Sequence, residues 1–208
     1  MPSDQPPYDL TGLVLAGGRS RRMGRSKAGL LVGDQALVDR VLGPLGRLCR
    51  EVIIITRDIT EFLEYRQMVV QDLVPGQGPL GGLATGLFYA RFPWSLTLAC
   101  DLPFLKPEIL DLIARKTLGT GGGPRAVVPR TTLGWEPLVA AYSRACLTPV
   151  LRLLDQGERA LDKLSLSGVR WQSIPEHELR AVDPDLDSFT NLNTPEELER
   201  ARIRLTPK

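Results

Sequence analysis

A glycine-rich, basic segment follows the first apolar stretch of the chain and is the clearest candidate for chemistry. The stretch Leu13–Ala16 runs directly into Gly17 and Gly18. The cations that follow this turn are Arg19, Arg22, Arg25 and Lys27. Glycines let backbone N–H groups approach a phosphate closely, and the cations can neutralise a polyphosphate. Neither the Walker A ending GK[ST] nor the dinucleotide spacing GxGxxG is present. The pattern favours a phosphate-binding loop of another kind over a plain turn with solvated arginines.

Two carboxylates follow predicted strands further along the chain. Asp72 comes after the short apolar stretch Met68–Val70, and Asp101 after Trp94–Ala99. A carboxylate at a strand end can hold Mg²⁺ against phosphate oxygens, so Asp101 is the leading candidate for a metal ligand. A helix cap or a surface turn is the alternative for Asp101, and a loop-capping role is the alternative for Asp72.

The elements that must position these residues alternate between strands and helices. The predicted strands are residues 10–16, 52–56, 68–70, 94–99, 126–129, 137–142 and 170–174. The predicted helices are residues 36–48, 59–65, 83–91, 106 onward, 144–156 and 194–204, with a Gly/Pro-rich loop at 72–82. Several strands are continuous apolar runs, which indicates an α/β fold with a mainly parallel sheet covered on both faces. Ligands bind beyond the carboxyl ends of such strands, so the loops at Gly17, Asp72 and Asp101 are predicted to share one crevice.

Composition excludes several classes of function. The 208 residues fit one domain with a flexible leader at 1–9, and the net charge of +2 gives no electrostatic field for nucleic acid. His177 is the only histidine, so histidine triads and HExxH zinc sites are excluded. Three widely spaced cysteines offer no disulfide framework. Neither a membrane span nor a signal peptide is found, and a cytoplasmic location is expected by default.

Four motifs resemble those of the nucleotidyltransferases that act on the molybdenum cofactor. LAGGRSRRMGRSK, starting at Leu15, resembles the signature LxGGxxxRMGxxK, and GPLGG, starting at Gly78, resembles the family's second glycine loop. CDLP, starting at Cys100, resembles its metal-binding Asp-x-Pro turn. FTNLNTPEE, starting at Phe189, is similar to the C-terminal segment of the guanylyltransferase members. The resemblance implies a three-layer αβα Rossmann-like nucleotidyltransferase fold.

The implied reaction transfers GMP from GTP to the terminal phosphate of molybdopterin, with Mg²⁺ as cofactor and pyrophosphate as product. Arg22 and Lys27 would act on the triphosphate, together with Asp101. Asp72 would contact GTP, and both Asn191 and Asn193 would serve the pterin side or close the site. The resemblance further implies that GTP is bound by backbone groups of Leu15, Ala16, Gly17 and Gly18, and by Gly78 and Gly82. Arg159 is a candidate for the pterin phosphate, and Trp135 either packs on the pterin or caps the core.

Alternatives remain at the level of the sequence. A cytidylyltransferase is the nearest one, although pyrimidine-using relatives often carry alanine where Gly17 stands here. A non-catalytic carrier of nucleotide or pterin is a second, and a sugar-1-phosphate nucleotidyltransferase is a third. Other molybdenum cofactor biosynthesis proteins and molybdoenzyme chaperones are the implied protein partners, whereas nucleic acid and membrane are not expected.

Overall fold

The computed structural model describes residues 6–17, 28–119, 122–123 and 125–205. Gly18, Arg22 and Lys27, which the sequence assigns to nucleotide binding, lie outside the described residues. The strands are β1 (Tyr8–Leu15), β2 (Leu31–Val32), β3 (Gln35–Ala36), β4 (Cys49–Thr56), β5 (Met68–Gln71), β6 (Trp94–Ala99), β7 (Arg125–Thr131), β8 (Gly134–Trp135), β9 (Val139–Ser143) and β10 (Arg170–Pro175). The α-helices are α1 (Leu37–Leu48), α2 (Gly78–Tyr89), α3 (Pro107–Thr117), α4 (Leu147–Asp155), α5 (Glu176–Val182) and α6 (Pro195–Leu205). Short 3₁₀ helices cover Ile59–Phe62, Arg144–Cys146, Leu161–Leu166 and Asp187–Phe189.

The central sheet has the strand order β10-β7-β9-β6-β1-β4-β5, with β8 paired to β7. Pairing is parallel between β1 and β4, β1 and β6, β4 and β5, and β7 and β10, whereas β9 runs antiparallel to both of its neighbours. The predicted mainly parallel sheet is therefore confirmed. The chain winds outward from β1 through β4 to β5 and then returns to the opposite side of β1 at β6. Open α/β sheets place their ligand crevice at such a reversal of strand order.

Helices cover both faces of this sheet. The apolar residues of α1, α3 and α5 form one core cluster, and those of α2 and α4 form another. Neighbouring residues of β1 divide between the two, since Val14 packs into the first cluster and Leu13 into the second. Alternate side chains of a strand point to opposite faces, so a strand buried on both sides consists of a continuous apolar run.

Helix α2 begins earlier than its sequence indicates. The glycines and proline of residues 72–82 predict a loop up to Gly82, but the structure starts α2 at Gly78. Pro79 occupies the first turn, where its missing N–H costs nothing. Gly82 and Gly86 are buried in the helix and let it pack closely on β1, because a Cβ would lie 3.1 Å from Leu15 Cδ2 at Gly82 and 2.6 Å from Leu13 Cδ1 at Gly86. Tertiary packing has here overridden the low helix propensity of glycine.

The two ends of the chain differ in detail from expectation. Strand β1 starts at Tyr8 and so includes the last two residues of the predicted leader, and the Tyr8 hydroxyl donates to Asp111 Oδ1 at 2.6 Å. Helix α6 follows the predicted capping box: Glu197 N–H donates to Thr194 Oγ1 (3.2 Å), and Thr194 N–H donates to Glu197 Oε2 (3.1 Å). Helix α5 was not predicted. Nowhere in the described ranges does a helix combine the length and apolar character needed to cross a bilayer.

Candidate active site

One cleft opens beyond the carboxyl ends of β1, β4 and β6 and has a volume of about 250 Å³. Six residues assigned to nucleotide binding from the sequence line this main cleft: Leu15, Gly17, Asp72, Gly78, Gly82 and Asp101. The prediction that the three strand-end loops share one crevice is thus confirmed by the geometry. Ala16, Arg159, Asn191 and Asn193 do not line the main cleft, although the chain carries them close to it.

Backbone hydrogen bonds join the strand ends that form the floor of the main cleft. Ala16 N–H donates to Ile55 O (2.8 Å), Cys100 N–H to Leu15 O (3.3 Å), and Asp72 N–H to Thr56 O (2.7 Å). Ala16 is buried, and its N–H already has this partner inside the protein. Gly17 is therefore the first residue of the glycine-rich segment to face the main cleft.

Asp101 stands where β6 gives way to the turn before α3 and is half-buried at the wall of the main cleft. Its backbone carbonyl accepts a hydrogen bond from Leu192 N–H (3.1 Å), so the C-terminal segment is fastened beside it. Among the described residues no group of three or more His, Cys, Asp or Glu side chains could enclose a metal. A carboxylate at the wall of a cleft is the kind of group through which Mg²⁺ binds, since this ion uses one or two carboxylates together with substrate phosphates.

Asp72 combines a structural role with a position in the main cleft. Its Oδ1 accepts hydrogen bonds from Val74 N–H (3.0 Å) and from the Thr85 hydroxyl (3.0 Å). Through Oδ1, Asp72 therefore caps the loop, which is the alternative role considered for it from the sequence. In the described part of the chain Oδ2 makes no hydrogen bond, so this second oxygen is available to a ligand.

The second glycine loop brings α2 against the segment that contains Arg159. Gly78 has φ +64°, and a Cβ there would lie 3.2 Å from the Arg159 carbonyl oxygen. Leu80 N–H donates to the same oxygen (3.3 Å), and Arg159 Nε donates to Gln77 Oε1 (3.1 Å). Gly82 is also closely packed, because a Cβ there would lie 3.1 Å from Leu15 Cδ2. Both glycines serve close packing at the edge of the main cleft.

A second groove of about 530 Å³ adjoins the main cleft and shares Pro79 and Leu138 with it. The remaining residues that line this side groove are Trp135, Pro137, Arg159, Ala160, Leu161 and Asp162. The Trp135 and Trp171 rings meet edge to face, with their centroids 5.0 Å apart. The Arg130 guanidinium lies 5.0 Å from the centroid of the Trp135 ring. Trp135 and the cation Arg159 thus line the same side groove, and Arg130 lies over the Trp135 ring.

Asn191 and Asn193 differ in their surroundings. Asn191 is half-buried, and its Oδ1 is shielded from solvent without a hydrogen-bond partner among the residues described. Asn193 is exposed, and its backbone N–H donates to Glu197 Oε2 at 2.6 Å. Asn191 directly precedes Leu192, whose N–H contacts the backbone carbonyl of Asp101.

A buried ion pair that the sequence did not reveal supports this C-terminal segment. Asp183 is fully buried, and its Oδ1 pairs with Lys106 Nζ (2.7 Å), while Oδ2 accepts from Ser188 N–H (2.9 Å). Ser188 Oγ in turn accepts from Lys106 N–H (2.9 Å). Burial alone raises the pKa of Asp183, but the hydrogen bonds from Lys106 and Ser188 outweigh it, and the pKa is lowered. Asp187 also pairs with Arg204 of α6.

Fold and main cleft together define a Rossmann-like nucleotidyltransferase. The family model described as the MobA-like NTP transferase domain matches residues 12–170. The molybdenum cofactor guanylyltransferase of Desulfosudis oleivorans is 39% identical over 197 residues, covering 94% of this chain and 96% of its own. The probable molybdenum cofactor guanylyltransferase of Pelotomaculum thermopropionicum is also 39% identical, with 93% and 92% coverage.

Among solved structures, molybdopterin-guanine dinucleotide biosynthesis protein A from Archaeoglobus fulgidus has a TM-score of 0.80 at 28% identity. It covers 94% of this chain and 98% of its own length. The chain belongs to the MobA-like NTP transferase family, as the four sequence motifs predict.

Proposed function

We propose that this protein transfers GMP from GTP to the terminal phosphate of molybdopterin, giving the guanine dinucleotide form of the cofactor and pyrophosphate. The observation that carries the proposal is the single cleft that brings Gly17, Asp72, Gly78, Gly82 and Asp101 together. The relatives named for this activity are similar over nearly their whole length, which supports the same substrates here.

The chemistry requires positioning more than covalent participation by the protein. An oxygen of the pterin phosphate attacks the α-phosphorus of GTP, and the bond to the bridging oxygen of the β-phosphate breaks to release pyrophosphate. Side chains and backbone dipoles that hold the two substrates in line and offset their negative charge account for most catalysis of this kind. A chain with a single histidine is well suited to such a reaction.

We assign the nucleotide to the main cleft. Gly17 and Gly18, with backbone groups of Leu15 and Ala16, would contact the guanine, and Asp72 Oδ2 can accept from a nucleoside N–H or hydroxyl. Arg22 and Lys27 would hold the triphosphate, since a guanidinium can grip two oxygens and an ammonium acts as a point charge. Mg²⁺ at Asp101 would supply charge neutralisation at the phosphate oxygens.

We assign the pterin to the side groove. The flat Trp135 ring suits a planar heterocycle, and Arg159 suits a phosphate at the boundary with the main cleft. Asn191 and Asn193 would complete this side of the site or close it. We also propose that the protein contacts other proteins of molybdenum cofactor biosynthesis and molybdoenzyme chaperones. Its proposed location is the cytoplasm.

The test is pyrophosphate release by the purified protein with Mg²⁺, molybdopterin and either GTP or CTP. GTP should support release and CTP should not, while a preference for CTP would make the protein a cytidylyltransferase. Nucleotide binding without any release would make it a carrier.

The variant Asp101→Asn should lower turnover by about 100-fold or more, because it removes a charge from the metal site while keeping the side chain's shape. Asp155→Asn provides the matched control, since Asp155 is exposed at the end of α4 and does not line either cavity. Unchanged turnover in Asp101→Asn would show that the metal site lies elsewhere.

A further inference from the structure

Arg57 lines the main cleft, although it is not among the residues predicted from the sequence to bind a substrate. It follows directly after β4, and its side chain lies over the α-carbon of Gly17. A Cβ on Gly17 would lie 3.5 Å from Arg57 Cγ and 4.0 Å from its Nε. The aliphatic part of Arg57 therefore packs beside the backbone of Gly17, and the residue contributes to the lining of the main cleft.

The Arg57 guanidinium is also uncommitted. Its backbone carbonyl accepts a hydrogen bond from Gln71 Nε2 (3.4 Å), which ties the end of β4 to β5. Within the described ranges the guanidinium itself makes no hydrogen bond or ion pair, in contrast to Arg91, which pairs with Glu51. A cation that lines a substrate cleft without an internal partner is available to the substrate.

The strand order places Arg57 and Asp72 on the opposite side of β1 from Asp101. Asp101 follows β6, Gly17 lies beyond β1, Arg57 follows β4 and Asp72 follows β5, and these strands are consecutive neighbours in the sheet. Neighbouring strands are about 4.8 Å apart, so the exits of β6 and β4 are separated by roughly 10 Å. If the phosphates lie at Asp101, the base lies at the end formed by Arg57 and Asp72.

Guanine presents two adjacent acceptors, O6 and N7, that match the two parallel donors of a guanidinium. Adenine replaces O6 by an amino group, and cytosine presents the amino group N4, so both would set a donor against a donor. We propose that Arg57 is a specificity-determining residue that binds O6 and N7 of the guanine base. This inference rests on the proposed function, because it takes the nucleotide to occupy the main cleft with its phosphates at Asp101.

The experiment measures the dissociation constants of GTP, ITP, ATP and 7-deaza-GTP with Mg²⁺ for the wild-type protein and for Arg57→Ala. ITP keeps O6 and N7, ATP loses the O6 acceptor, and 7-deaza-GTP loses N7. Arg57→Ala should weaken GTP and ITP binding by about 10- to 100-fold while changing ATP binding less than about twofold. The wild-type preference for GTP over 7-deaza-GTP should disappear in the variant.

Two further variants sharpen the result. Arg57→Lys keeps the charge and most of the stem but not the paired donors, so it too should lose the distinction between GTP and 7-deaza-GTP. Arg66→Ala removes an exposed arginine from the same β4–β5 connection without touching the main cleft, and all four constants should stay at wild-type values. A thermal melt of each variant confirms that it is folded.

An equal loss for all four nucleotides in Arg57→Ala would overturn the proposal in favour of a phosphate contact, and no loss would exclude any contact. Both outcomes are separate from the proposed function, which is tested by pyrophosphate release from the wild-type protein. Suppose that the wild-type protein turns over GTP and that Arg57→Ala weakens the binding of all four nucleotides equally. The guanylyltransferase function would then be supported, and only the assignment of Arg57 to the base would be wrong.

Discussion

Replacing Gly86 by alanine is expected to destabilise the protein even though Gly86 lies inside a helix. Alanine is the better helix former by about 1 kcal/mol, so the substitution would be stabilising if α2 were exposed. Gly86 is instead buried against β1, and an added Cβ would lie 2.6 Å from Leu13 Cδ1, 3.1 Å from Cδ2 and 3.2 Å from Cγ.

The size of the effect follows from these distances. Carbon atoms in contact normally lie about 3.5–4.0 Å apart, so α2 and β1 would have to separate by about 1 Å. Leu13 cannot move aside, because it is fully buried among α2 residues such as Leu83 and Leu87. Overpacking of this kind costs typically 1–3 kcal/mol and occasionally more. After subtraction of the helix gain, we expect a net loss of up to about 2 kcal/mol and a fall in Tm of up to about 8 °C.

Gly46 provides the matched control. It lies in the last turn of α1, is exposed, and has no atom within 4 Å of the position that a Cβ would take. Gly46→Ala should therefore keep the helix gain alone and stabilise the protein by up to about 1 kcal/mol. Thermal and urea unfolding of the two variants beside the wild type gives both values. A Gly86→Ala protein as stable as Gly46→Ala would refute the close packing of α2 on β1.

Three more predictions concern the borders of the site. The pKa of Asp183 is lowered in the folded protein, so its ion pair with Lys106 contributes fully above the unfolded aspartate pKa of about 4 and is lost as the pH falls further. Unfolding followed from pH 6 to pH 2 should accordingly show a smaller acid-induced loss in Asp183→Asn than in the wild type, and equal losses would contradict this assignment. Thr194→Ala should cost about 1 kcal/mol by removing the N-cap of α6, as measured by urea unfolding, whereas Thr194→Ser should cost little. Gly78→Ala should weaken GTP binding, because a Cβ at φ +64° would lie 3.2 Å from the Arg159 carbonyl oxygen and would displace one wall of the main cleft. An unchanged affinity for GTP in a titration would show that Gly78 does not form part of the nucleotide site.

The sequence predicted the sheet and the main cleft because both depend on local patterns. Continuous apolar runs mark strands buried on both faces, and the residues just beyond their carboxyl ends must meet at one edge. Gly17, Asp72 and Asp101 could be grouped on this basis alone. The capping box at Thr194 was recognisable because its two hydrogen bonds join residues only three positions apart.

The features that escaped prediction depend on contacts between distant residues. The early start of α2 follows from how its glycines fit against β1, and glycine content alone favours a loop. The pairing of Lys106 with Asp183 joins residues far apart in the chain, and nothing in the sequence around either residue indicates it. Arg57 lies beside Gly17 only because β4 pairs with β1. Residue types show which groups can do chemistry, whereas the pairing of strands decides which of them meet.

The hydrogen bond from Leu192 to the Asp101 carbonyl has a consequence for biosynthesis. The sheet strands β1, β4 and β6 all precede residue 100, so the floor of the main cleft can assemble while the ribosome is still translating. Leu192 lies C-terminal to every strand of the central sheet, so its hydrogen bond to Asp101 can form only after all of these strands have been synthesised. A chain cut short before Leu192 would keep the strands that form the floor of the main cleft, but it would lose the contact that fastens the segment beside Asp101.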